Sequence, residues 1–333
     1  MERNKVLQRL ESNIILGPVV RYIKTNMGIL IGFLVLFIFM SITADNFFTK
    51  TNFLNVMRTV STNSYLAIGV MMAIMLGGID LTGGALIALS GCVTVVCMER
   101  FGISIPVSVA IALAVGVVAG AANGVIIAYS GIHPFVVTLA MMSICRGFAY
   151  LIANGQPVST MSKAFPSIGN GYLGFIPLPV VYMFVFIFLA YLLLNKTKIG
   201  RHIYAVGGNP TAAKYSGINI TKVKILVWTI SGFLGAFAGV VLASRMSSGQ
   251  PAAAIGFETD AIAAAVLGGT SMYGGVGNVG GMFIGVLVIG TISNGLNLLH
   301  VNSYWQYVAK GVIILIAVYI DMYKKKKQNA RKE

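Results

Sequence analysis

A chain of 333 residues that is 57% hydrophobic and only 10% charged carries far fewer charges than the roughly 25% of a soluble domain. That composition excludes an ordinary soluble globule and points to an all-α polytopic membrane protein. The net charge of +15 does not describe a nucleic-acid groove, because the basic residues gather in three places separated by long apolar runs.

Residues 1–26 are basic with interspersed Val6, Leu7, Leu10, Ile14 and Ile15, a pattern that predicts a cytoplasmic or interfacial helix. The first apolar run follows this segment and reads as an uncleaved anchor. Hydropathy and length then predict one transmembrane domain over 27–323, with spans near 27–44, 52–76, 81–98, 105–129, 134–153, 176–195, 223–243, 257–269, 276–299 and 304–322. The eighth is short enough to be a half-span. A basic cytoplasmic tail, 324–333, closes the chain. Cys92, Cys97 and Cys145 all lie in apolar segments and are expected as buried free thiols.

Five Lys and Arg residues fall in 1–26, six in the central loop counted to Lys224, and six after Tyr323. Ten spans with both termini cytoplasmic put all three groups on one side, as the positive-inside rule requires. Gly116, Gly120 and Gly124, and again Gly277, Gly281 and Gly285, recur every fourth residue and predict close helix contacts. A faint internal repeat joins Leu76–Gly84, LGGIDLTGG, to Leu267–Gly275, LGGTSMYGG. Its glycines Gly77, Gly78, Gly268, Gly269, Gly274 and Gly275 permit tight turns or broken helices inside the bundle.

The one long polar interruption is the segment 195–222. Asn209 is a good helix N-cap and Pro210 suits the first helical position. Gly217 suits the left-handed position after the last turn. A helix of that length is too short to stand alone and must rest on this chain or on a partner. Small Ala212 and Ala213 offer that partner a close approach, with Gly207, Gly208 and Lys214 around them.

No catalytic constellation and no metal-ligand spacing occurs, and no phosphate-binding loop is present, so ATP hydrolysis by that route is not expected on this chain. Asp80, just before the third span, is predicted as its N-cap. Arg146, Lys310, Glu258 and Asp260 are predicted in the outer half of the bundle. Cation and carboxylate should meet there, since an unpaired charge in lipid is costly; a gate or solute contact is the functional alternative. Asn63, Asn123 and Asn294 could bond a sugar or tie helices together.

Four stretches carry a resemblance. They are Gly77–Gly91, GGIDLTGGALIALSG; Gly120–Gly147, with its N-G and P-F-x₂-T-L elements and terminal R-G; Asn195–Ile220; and Thr259–Leu287, with D-A-I-A-A and G-G-x-S-x-x-G-G-x-G. Together they resemble the permease subunits of bacterial ABC importers for monosaccharides, the ribose/xylose/galactose group. Thr82 replaces that group's usual Ser, and Ala140 its usual Gly. The tail Val301–Asp321 and the segment Asn195–Ile220 are most similar to the galactose/methyl-galactoside branch.

The resemblance implies a homodimeric permease in the bacterial cytoplasmic membrane that moves galactose, glucose or a methyl-galactoside inward by alternating access. It implies a cytoplasmic ABC ATPase, often of tandem cassettes, which carries ATP and Mg and docks on Asn209–Gly217. It also implies an extracytoplasmic sugar-binding protein. The alternatives are an ABC permease for ribose, xylose, nucleosides, autoinducer or branched-chain amino acids, and an ion-coupled sugar symporter.

Overall fold

The computed structural model describes residues 16–329. The predicted surface helix over 1–26 therefore lies mostly outside the described residues, and residues 16–26 continue into the first helix. In chain order the elements are α1 (Leu16–Thr43), α2 (Lys50–Met75), α3 (Gly83–Glu99), α4 (Ile105–Tyr129), α5 (Pro134–Ala153), β1 (Val158–Ser159), α6 (Ser167–Asn170), β2 (Tyr172–Leu173) and β3 (Ile176–Pro177). There follow α7 (Leu178–Lys196), α8 (Lys198–Gly208), α9 (Pro210–Tyr215), α10 (Ile220–Met246), β4 (Ser248–Gly249), α11 (Phe257–Leu267), α12 (Val279–Leu298) and α13 (Ser303–Asn329).

A helix stands on each of the ten apolar stretches. Among the described residues five of them, α4, α5, α7, α10 and α12, are long and apolar enough to cross a membrane. The 11 residues of α11 reach about 16 Å, half of a hydrocarbon core of roughly 30 Å.

Local chemistry sets the boundaries. Thr49 caps α2 by accepting from the Asn52 N–H at 3.3 Å. Asn219 caps α10 through the Lys222 N–H at 2.9 Å, and Asn278 caps α12 through the Gly280 N–H at 3.1 Å. Each satisfies a backbone donor left free in the first turn.

Helix α10 is the central post, packed against α4, α3 and α2. The glycine stripe of α4 explains its fit: Gly116 and Gly120 lie against Gly232, and Gly124 against Ile225, with no room for a Cβ. Backbones that close gain dispersion contacts that lipid alone does not offer. The second stripe is shorter than predicted, because Gly277 precedes α12 in the loop; Gly285 packs on Ala264 of α11. The exterior of α4, α5 and α7 exposes Val118, Phe148, Leu151, Phe184 and Phe188, an apolar surface suited to lipid.

The internal repeat holds only at its first glycine pair. Gly77 (φ 76°) and Gly269 (φ 86°) end α2 and α11, with the Gly78 N–H donating to Ala73 O and the Thr270 N–H to Ala265 O, both at 3.0 Å. The register differs by one residue. The second pair diverges: Gly83 and Gly84 open α3, whereas Gly274 and Gly275 turn within the loop before α12.

At the end of the bundle opposite α9, β1 pairs with β4 and β2 with β3. Glu99 accepts from Thr160 Oγ1 at 2.7 Å and Arg100 donates to Ile152 O at 2.8 Å. Arg58 donates to Tyr172 Oη at 2.6 Å and stands over its ring at 5.2 Å.

Candidate functional site

Helix α9 forms as its residues dictate. Asn209 Oδ1 accepts from the Ala212 N–H at 3.0 Å, Pro210 opens the helix, and Gly217 takes φ 80°, which a side chain would strain. Its two faces differ from the expectation in one respect. Ala212 is exposed, but Ala213 is only 4% exposed and belongs to the main core. Ala213 therefore seats α9 on its own chain, and the outward face carries Pro210, Thr211, Ala212, Lys214 and Tyr215. Tyr215, 89% exposed, was not among the predicted site residues. Apolar periodicity does not flag it in so short a helix, but an aromatic side chain inside a basic, capped segment is a signal that could have.

Three segments meet behind α9. The Gly275 N–H donates to Met75 O at 2.8 Å. Gly207 lies on Met75 O and the Gly275 N, and Gly208 lies against Gly275, so a Cβ at 207 or 275 would collide with backbone. Tyr204 Oη donates to Gly277 O at 2.8 Å. Burial raises the Tyr204 phenol above its ordinary pKa, which already leaves it a protonated donor at neutral pH. The end of α2, the end of α8 and the loop before α12 are thereby one unit. Gly268 packs on Gly281 and Met282, and Gly274 on Gly207 O.

Deeper in the bundle, Asp80 corrects its prediction. It is not the N-cap of α3; that position belongs to Thr82, which makes no side-chain cap bond. Asp80 Oδ1 accepts from the Thr82 N–H at 2.9 Å and its Oδ2 from Ser231 Oγ at 2.6 Å. Ser231 stands about 16 Å along α10, so the loop from Gly77 to Thr82 bends back into the bundle. Asn123 Nδ2 donates to Thr82 Oγ1 at 2.8 Å and Thr138 Oγ1 to Ile79 O at 2.8 Å. Gly78 abuts the Trp228 ring and Pro134. These bonds satisfy the backbone of an irregular loop inside protein.

Of the predicted charge pairs, the structure makes Lys310 with Asp260, at 2.8 Å, with side chains 20% and 4% exposed. Arg146 does not meet a carboxylate. It donates to Pro251 O at 2.8 Å and Ala253 O at 2.7 Å, and its planar fork suits two adjacent carbonyls. Glu258 Oε1 accepts from the Gly256 N–H at 3.2 Å, and its carboxylate packs on Gly84. Asn294 exchanges bonds with Asn52 at 2.7 and 3.2 Å, a tie between α12 and α2. Asn63 is buried in α2. Cys92 and Cys145 are buried free thiols as expected, whereas Cys97 is a free thiol that is only partly buried. No group of three His, Cys, Asp or Glu residues able to hold a metal occurs among the described residues.

Comparison with known proteins gives the family of the chain. The family described as branched-chain amino acid transport system / permease component matches residues 52–318. The ribose import permease protein of Escherichia coli is 43% identical over 298 residues, 88% of this chain and 92% of that protein. The ribose import permease protein of Haemophilus influenzae is 41% identical over 297 residues, 88% and 92% of the two chains. The L-arabinose transport system permease protein of Escherichia coli is 38% identical over 307 residues, 90% and 91%. No solved structure matches the chain. These relatives handle ribose and arabinose by name, so the galactose expectation finds no support among them and the ribose alternative fits better.

Proposed function

The chain belongs to the branched-chain amino acid transport system / permease component family, and from that premise we propose that it is the membrane permease of an ATP-driven, binding-protein-dependent importer of a monosaccharide of the ribose kind. Two copies form the channel across the bacterial cytoplasmic membrane, with ten helical segments per copy and both termini inside. A cytoplasmic ATPase supplies the energy, and an extracytoplasmic binding protein delivers the sugar.

The observation that carries this reading is α9. It is capped at both ends, seated on the core by Ala213, and exposes Ala212, Lys214 and Tyr215 to a partner. A six-residue helix held that firmly at the end of a bundle is a docking element. Similarity to ribose and arabinose permeases favours a pentose over galactose. Ion coupling fits less well, because Asp80 and Asp260 are engaged in ties within the fold.

The test is uptake of labelled ribose, arabinose and galactose by cells expressing the permease with its neighbouring ATPase and binding protein. Ribose uptake should persist when ion gradients are dissipated and ATP is maintained. Uptake that stops with the gradients while ATP remains would overturn the reading.

A further inference from the structure

Between β4 and α11 the chain runs without regular structure through the middle of the bundle. Two rulers fix its depth. Arg146, which holds Pro251 O and Ala253 O, stands about 18 Å along the roughly 30 Å of α5. Gly84, against which Ala254 O and the Glu258 carboxylate pack, opens α3 two residues before Leu86. Leu86 meets Gly235, about 22 Å along the roughly 40 Å of α10. The stretch thus enters from the end opposite α9, descends to the level where α3 begins, and turns into the half-length α11.

Its backbone departs from both helix and strand, with Ala254 at φ 56° and Gly256 at φ 85°. One side is covered: Pro251 and Ala254 are buried, and Arg146 satisfies two carbonyls there. The other side is open. Ala252 and Thr259 are exposed, and Ile255 is 56% exposed. Irregular backbone does not face lipid within the hydrocarbon region, since no water is present there to pair its peptide groups. It persists at that depth where protein buries it or where it lines a water-filled cavity. Arg146 holds one side, Gly84 of α3 packs on Ala254 and Glu258, and Tyr307 of α13 stands beside Gly256; among the described residues nothing covers Ala252, Ile255 and Thr259, which remain exposed.

We propose that the exposed face of residues 250–259 lines the aqueous path, where an uncharged polyhydroxylated solute passes the middle of the membrane. This deepens the permease reading and rests on it. Arg146 acts as the positioning residue that holds the segment's other face on α5, and the Thr259 hydroxyl, which donates to Gly256 O at 2.6 Å, retains lone pairs to accept from the solute.

The experiment places single cysteines at Ala252, Ile255 and Thr259 in the assembled importer, in a chain whose Cys92, Cys97 and Cys145 are replaced by serine. Controls sit at Val118 and Phe188 on the apolar exterior. A water-soluble thiosulfonate should modify Ala252→Cys and Ile255→Cys at least about tenfold faster than the controls, because the thiolate is the nucleophile and forms in water. Modification at Ile255→Cys should also block uptake. Rates equal to the controls would overturn the proposal. So would a spontaneous disulfide between two copies through Ile255→Cys, which would show the face buried against protein. Ribose uptake by the unmodified chain is followed in parallel. Its absence would sink the substrate reading, while the labelling rates still decide whether the segment meets water.

Discussion

Lys310 and Asp260 show what a single charge does in this setting. Asp260 is nearly enclosed and Lys310 largely so, and removing one partner leaves the other uncompensated at a cost of about 3–5 kcal/mol. Lys310→Met and Asp260→Asn should each lower the yield of folded permease, and the double variant should recover part of it. Simple additivity in that double-mutant cycle would mean that the contact carries no coupling energy. The asparagines belong to the same scale. Asn294 and Asn52 exchange two bonds and are committed to the fold, whereas Asn123 gives only its Nδ2 to Thr82 and its buried Oδ1 accepts no bond.

At the scale of elements, α9 separates two kinds of small residue. Ala213 is packed into the chain, and a bulky charge there should damage the permease itself. Tyr215 and Ala212 face outward, where the proposed ATPase would meet them. An exposed aromatic that becomes buried on docking is the type of residue that dominates interfaces, worth about 2 kcal/mol or more, or roughly 30-fold in Kd. Tyr215→Ala should therefore leave expression unchanged while the ATPase no longer co-purifies. Gly217→Val should have the same outcome through the backbone, since a β-branched residue at φ 80° is strongly disfavoured. Retention of the ATPase by both variants would make α9 an ordinary connection. Element length speaks as well: α11 is half of a span, and the irregular segment before it supplies the rest of the depth.

At the scale of the molecule, a displacement of α9 by its proposed partner would have a route inward. The α8 end, the α2 end and the loop before α12 are joined by the Gly275–Met75 and Tyr204–Gly277 bonds. The first is backbone to backbone. The second depends on one hydroxyl and can be cut with little change of volume. Tyr204→Phe should keep the ATPase bound and hydrolysing ATP, while sugar imported per ATP falls about fivefold or more, the lower range of coupling between sites. Reconstituted vesicles that report both quantities provide the measurement. An unchanged ratio would show that the tyrosine only fills space.

Periodicity, caps and charge asymmetry were enough to place the ten helical segments and the Asn209–Gly217 helix, because hydropathy and N-cap chemistry are local properties of a few consecutive residues. They also marked Arg146, Lys310, Glu258 and Asp260 as charges that must find partners. Which partner each one found was decided in three dimensions. Arg146 took two carbonyls, Lys310 took Asp260, and Asp80 reached Ser231, which lies 151 positions away. The inward turn of Ala213, the meeting of Met75, Gly207 and Gly275, and the depth of residues 250–256 all depend on how helices rotate and slide against one another. Close packing between distant stretches sets that rotation, and an apolar pattern that runs around most of a membrane helix does not encode which side faces protein, lipid or water.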